Sequence, residues 1–124
     1  MKRVILLICI LSICAMALTE REEQERLAAL PRYNAETERV LWDRTRCDML
    51  FVYKGDSVAC EIDWASKWAE GIGQALYYGE VTNLKPAVLL LVKDMDRDMK
   101  YIYRCQTVCE KYDILLFIEQ AEIE

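Results

Sequence analysis

The run 57–64 sets the frame for the whole chain. It is mostly apolar and rich in β-prone side chains, and Trp68, Ile72, Ala75 and Leu76 then recur at helical spacing. A buried strand delivering into a helix is expected, and it fixes where the polar residues point. Glu61 and Asp63 sit two apart, so a strand turns both to one face. Lys67, Gln74 and Tyr78 follow at intervals of seven and four, so one face of a helix over 65–79 carries all three. The plain alternative for these polar groups is a solvated helix face beside a strand end.

The preceding run, 46–53, reads as a strand, and Lys54-Gly55 is a tight turn signal. In that strand Asp48, Leu50 and Val52 share one face, while Cys47, Met49, Phe51 and Tyr53 share the other. A two-residue turn puts Asp48 opposite Glu61, and an odd-length loop would send them to opposite faces. Two carboxylates at cross-strand distance repel. A hard divalent cation relieves that repulsion, taking one or two carboxylates and keeping waters in its other positions. Such a metal activates water and stabilises charge on a phosphoryl group. Lys67 would orient that water or balance the developing charge. Without a metal, the same residues make a surface acid pair relieved by Lys67 as an ordinary salt bridge.

Residues 19–30 read as a charged helix ended by Pro31, and 38–42 as a strand closed by an Asp43-Arg44 turn. Residues 87–92 form a continuous apolar run, as in a strand covered on both faces. A helix over 98–112 and a last buried strand over 114–118 follow, with an acidic, frayed tail from 119 onward. The order αβββαβαβ implies an α/β fold, a mixed β-sheet flanked by helices.

Composition narrows the chemistry. A chain of 124 residues, 54% of them hydrophobic, holds one domain with a real core. It has no histidine, which removes imidazole acid–base catalysis, Ser-His-Asp triads and most zinc sites. Lys2 and Arg3, an apolar run over 4–14 and the small-x-small Ala15-Met16-Ala17 read as a signal peptide of residues 1–17. Export to a periplasm or the exterior follows, with no stable membrane span after cleavage; an uncleaved anchor is the lesser alternative. Cleavage leaves 14 basic and 21 acidic residues, a net charge of −7. Bulk attraction to nucleic acid is then absent, so a polyanion needs a metal or a local basic patch. The remaining cysteines are Cys47, Cys60, Cys105 and Cys109. Cys47 and Cys60 are expected as diagonal neighbours on one sheet face, and Cys105 and Cys109 lie one turn apart on a helix. Neither pair is placed to form a disulfide. A bridge from Cys47 or Cys60 to the last helix stays open.

Thr45-Arg46-Cys47-Asp48, Glu61-Ile62-Asp63-Trp64-Ala65-Ser66-Lys67-Trp68-Ala69-Glu70 and Gly73-Gln74-Ala75-Leu76-Tyr77-Tyr78 together resemble the PD-(D/E)XK nuclease superfamily. The similarity is to its small restriction-endonuclease-like members, and it covers about 36–118. It implies a restriction-endonuclease-like core and a Mg²⁺- or Mn²⁺-dependent nuclease acting on nucleic acid, DNA foremost. By that resemblance Asp48 and Glu61 are catalytic metal ligands, the Ile62 carbonyl is a third ligand, and Glu36 and Asp63 are further candidates. Glu38 competes with Glu36 for the acid of the preceding segment. Gln74 and Tyr78 match the Q-x-x-x-Y helix motif of RecB-type nucleases, which implies substrate binding. The family's lysine stands two residues after the glutamate; here that residue is Asp63, and Lys67 would supply the amine. The domain organisation is then a signal peptide (1–17), an N-terminal helix and linker (18–34), a nuclease-like domain (35–119) and an acidic tail (120–124). The competing reading is a catalytically inactive exported nuclease-fold domain that serves as a binding module.

Three other signals carry nothing. Asp94-Met95-Asp96-Arg97-Asp98 begins like a calcium loop, but Met99 and Cys105 stand where its glycine and bidentate glutamate belong. Gly71-Ile72-Gly73 lacks the rest of a dinucleotide fingerprint. Cys105 and Cys109 read as small core residues.

Overall fold

The structure, a computed structural model, describes residues 18–122; the expected signal peptide lies outside the described residues. A five-stranded mixed sheet runs in the order β1 (Glu36–Val40), β2 (Arg46–Tyr53), β3 (Asp56–Trp64), β4 (Lys85–Val92), β5 (Leu115–Gln120). The first three strands are antiparallel and the last three parallel. Helices α1 (Glu20–Ala28), α2 (Trp68–Thr82) and α3 (Met95–Tyr112) flank the sheet. Among the described residues, no helix is long and apolar enough to cross a membrane.

Local signals explain most of the boundaries. Lys54 and Gly55 both take positive φ, 49° and 86°, and join Tyr53 to Asp56 as a two-residue hairpin turn. The ladder runs from that turn back to Met49 opposite Cys60, so the next pair in register is Asp48 with Glu61. Asp94 caps α3 by accepting the Arg97 N–H at 3.2 Å, so that helix begins at Met95, earlier than the expected 98. The left-handed residues Asn83 and Asp113 end α2 and α3.

Two cores sandwich the sheet. On one face Met49, Phe51, Val58, Cys60, Ile62, Leu89 and Leu91 pack against Leu27 and Ala28 of α1 and against Tyr33. Tyr33, Phe51, Tyr53 and Phe117 meet edge to face, with centroids 5.1 Å apart for Tyr53–Phe117. On the other face Val88, Leu90 and Val92 pack against Ile72 and Ala75 of α2 and Ile102, Cys105 and Cys109 of α3. Residues 87–92 of β4 are fully buried, as the unbroken apolar run required. Each large aliphatic there contributes roughly 1.5–3 kcal/mol of burial.

Three expectations change. The N-terminal helix is part of the domain: Leu27 is fully buried, and Glu23 is buried against Arg26 and the Glu122 N–H. The C-terminal segment is held rather than frayed over its described part. Glu119 accepts from Arg32 and Tyr33, β5 continues to Gln120, and the Ala121 N–H reaches the Val92 carbonyl at 2.9 Å. Cys47 leaves the face of Met49 and Cys60 and packs with Ala59 and Tyr78 on the other side of the sheet. The strand turns over at Asp48, where regular pairing with β3 stops. All four described cysteines are free thiols.

Candidate metal and phosphoryl site

The β2–β3 ladder ends at Met49 and Cys60, and the Asp48 side chain takes over from the backbone. Asp48 Oδ2 accepts the Ile62 N–H at 2.8 Å. The Asp48 carbonyl is taken by Gln24 of α1, whose Nε2 donates at 3.1 Å. Asp48 is therefore held from both sides, by a strand through its carboxylate and by a helix through its backbone.

Glu61 and Asp63 lie further along β3 and point toward α2. Glu61 is 5% exposed and Asp63 7% exposed. Glu61 Oε2 and Asp63 Oδ2 are buried without any hydrogen-bond partner. A Cβ on Gly71 would come within 3.1 Å of Asp63 Oδ2, so the glycine leaves the room in which that carboxylate sits. Burial chiefly, then the charge of Asp48, raises the Glu61 carboxyl far above the carboxylate range. Burial raises Asp63 to about 7, helped by the charges of Glu20, Glu70 and Asp48. Asp48 is raised by burial too, although the Ile62 N–H opposes the shift. Three carboxyls that resist ionisation together are a site whose negative charge is not compensated by protein groups.

The expected residues are only partly brought together. Asp48 and Glu61 stand side by side past the end of the ladder, Asp63 is near enough for its charge to act on Glu61, and Tyr78 of α2, 9% exposed, feels the charges of both Glu61 and Asp48. Its hydroxyl is pushed up to about 12 by burial and by the charges of Glu61 and Asp48. Gln74, one turn earlier on α2, is half-buried. Glu36 stands apart from them: it is exposed on β1, opposite Leu50, and paired with Arg39 at 2.6 Å. Glu38 is the acid of that segment whose charge reaches Asp48. It holds φ 50°, a left-handed value that few side-chain-bearing residues adopt, in the middle of β1.

Lys67 also stands apart from the acids. Residues 65–67 form a 3₁₀ turn and α2 begins only at Trp68. The tighter turn breaks the helical phase that was to align Lys67 with Gln74 and Tyr78. Lys67 is exposed and forms no ion pair with Asp48, Glu61 or Asp63. Its charge draws Asp63 down less than burial and the neighbouring acids push it up.

Two residues were not singled out from the sequence. Gln24 fixes Asp48, and Glu20, four residues earlier on α1, adds its charge to Asp48, Glu61 and Asp63. The helical spacing of Glu20 and Gln24 was readable, but nothing in the sequence said which strand α1 would cover.

The donor set is all oxygen, which suits a hard divalent cation of the Mg²⁺ or Mn²⁺ kind. No cluster of three or more His, Cys, Asp or Glu placed to hold a metal occurs among the described residues. The fit therefore rests on the Asp48–Glu61 pair and on the orphaned oxygens. Ile62 adds to it. A strand residue directs its N–H and C=O to the same edge, so the Ile62 carbonyl lies on the Asp48 side.

Comparisons with protein-family models, with curated proteins and with solved structures returned no match.

Proposed function

We propose that the protein is a divalent-metal-dependent phosphodiesterase of the PD-(D/E)XK kind, with a restriction-endonuclease-like sheet, acting on nucleic acid and foremost on DNA. The observation that carries the reading is the pair of orphaned oxygens, Glu61 Oε2 and Asp63 Oδ2, buried beside Asp48. A buried carboxylate oxygen without a donor is costly, and a cation removes the cost.

In this reading Asp48 and Glu61 hold the metal with the Ile62 carbonyl, and Asp63 is the further acid. A bound Mg²⁺ or Mn²⁺ supplies an activated water and charge stabilisation at a phosphoryl oxygen. Asp48 keeps its aim through Gln24 and the Ile62 N–H. Tyr78 stays a neutral hydroxyl at neutral pH and offers a donor beside the acids. Gln74 is the expected substrate contact on the same helix. The substrate reaches an exported enzyme outside the cytoplasm, on the strength of the signal-like 1–17.

The test incubates the full chain with DNA and RNA, with Mg²⁺, with Mn²⁺ and with chelator. Metal-dependent cleavage lost in Asp48→Asn and Glu61→Gln is the expected result. Two observations favour a second reading, that of an inactive metal-binding domain: Lys67 makes no ion pair with the acids, and Asp63 stands where the family's lysine would be. Metal binding without cleavage of either polymer would establish that reading.

A further inference from the structure

Beyond the end of β3 lies a second polar concavity of opposite charge. It has a volume of about 420 Å³, and Trp64, Lys67, Leu91, Lys93, Arg97 and Tyr101 are among the residues that line it. Trp64 and Leu91 are neighbours at the carboxyl ends of the parallel strands β3 and β4. Ligands of open α/β sheets bind outside those ends.

Its charge runs against that of the molecule. The chain carries a net charge of −5, yet this cavity gathers Lys67, Lys93 and Arg97 against a single carboxylate. That carboxylate is already engaged: Asp98 accepts the Lys93 N–H at 3.1 Å and the Asp94 N–H at 3.4 Å, and pairs with Arg97 at 3.5 Å. Neither Lys67 nor Lys93 has an ion-pair partner among the described residues. The Lys93 ammonium rests instead over the Trp64 ring, 4.3 Å from its centroid. Two unpaired cations and a guanidinium around one hollow suit an oxyanion with several acceptors. The hollow is too large for phosphate alone, and Trp64, Leu91 and Tyr101 line it with apolar and aromatic surface for the body of a ligand.

We propose that this cavity binds a nucleoside 5′-phosphate unit, its phosphoryl group held by Lys67, Lys93 and Arg97 and its organic body lying along Trp64 and Tyr101. The unit is either a free nucleotide or the phosphorylated end of a strand. The inference needs no metal and stands whether or not the acidic site cleaves anything.

Calorimetric titration of the full chain with thymidine 5′-monophosphate, in EDTA and at low salt, tests it. The nucleotide should bind, thymidine should bind at least tenfold more weakly, and added salt should weaken the nucleotide. Lys93→Gln and Arg97→Gln should each cost about tenfold in affinity with circular dichroism unchanged, and Lys93→Arg should recover most of the loss. A 5′-phosphorylated thymidine oligonucleotide run beside its 5′-hydroxyl counterpart separates the sources. Preference for the phosphorylated oligonucleotide over the free nucleotide assigns the site to strand ends, and equal affinity assigns it to the nucleotide. Asp48→Asn should keep nucleotide binding, so that failure of the acidic site is told apart from failure of this one. No binding at millimolar nucleotide, equal binding of thymidine, or full affinity in both Gln variants overturns the proposal.

Discussion

Asp48 Oδ2 accepts the Ile62 N–H at 2.8 Å, a bond that regular antiparallel pairing in this register would give to the Cys47 carbonyl. The regular ladder ends there with Asp48 beside Glu61, and Cys47 packs with Ala59 and Tyr78 instead of with Met49 and Cys60. Beside Asp48, Glu61 and Asp63 are buried with too few donors, and the predictions follow from that shortfall.

Titration with Mn²⁺ should reveal a site that Asp48→Asn abolishes and Asp63→Asn weakens. Calorimetry reads both, and unchanged affinity in Asp48→Asn would remove the assignment.

Stability without metal should fall as pH rises. Asp63, raised to about 7, and Glu61, raised above it, are both pushed up first by burial. A raised folded-state pKa contributes stability that is fully present below the unfolded value, about 4 for a carboxyl, and lost as pH climbs through the folded value. The melting temperature in chelator should therefore decline from pH 5 to pH 8. Excess Mn²⁺ should raise it more at pH 8 than at pH 5. A metal-free melting temperature that climbs over that range would contradict the burial argument.

Glu61→Gln should stabilise the metal-free protein at pH 8, since the native fold no longer has to hold protonated a buried carboxyl that the unfolded chain ionises, and the shape is kept. The gain expected is about 1–3 kcal/mol by chemical denaturation. The same variant should lose the stabilisation that Mn²⁺ confers on the native chain. A destabilised Glu61→Gln at pH 8 would mean that the carboxylate has a partner.

Gln24→Leu should cost about 1 kcal/mol, because the Asp48 carbonyl loses its donor. It should also weaken Mn²⁺ several-fold although Gln24 is no ligand, through a less rigid Asp48. Gln24→Glu should fare worse, placing a further acid among Glu20, Asp48 and Glu61. Metal affinity equal to wild type in Gln24→Leu would show that α1 only covers the sheet.

Residues 46–64 were the most legible part of the chain. Lys54-Gly55 admits one short turn, and a period of two in the strands leaves a single register that buries Met49, Phe51, Val58 and Cys60 together. Alternation also predicts Cys47 on that face, and there it fails. Period two holds only while the backbone keeps its ladder, and Asp48 breaks it with a side-chain bond. Lys67 fails for a related reason. Its alignment with Gln74 and Tyr78 assumed an α-helix from residue 65, and three residues of 3₁₀ turn shift its direction.

The sequence by itself determined the order of elements, the hairpin register and the placing of two carboxylates side by side. These depend on near neighbours, on turn chemistry and on apolar period. Tertiary structure decided which acids join the pair, Glu20 and Glu38 in charge and not Glu36, and which cations leave it. It also decided that Lys67, Lys93 and Arg97 meet in a hollow of their own. Those outcomes depend on where α1 and α3 seat against a sheet they do not pair with. That seating is set by the packing of Leu27, Ile102 and Cys105 into the two cores, which no local pattern of polar residues records.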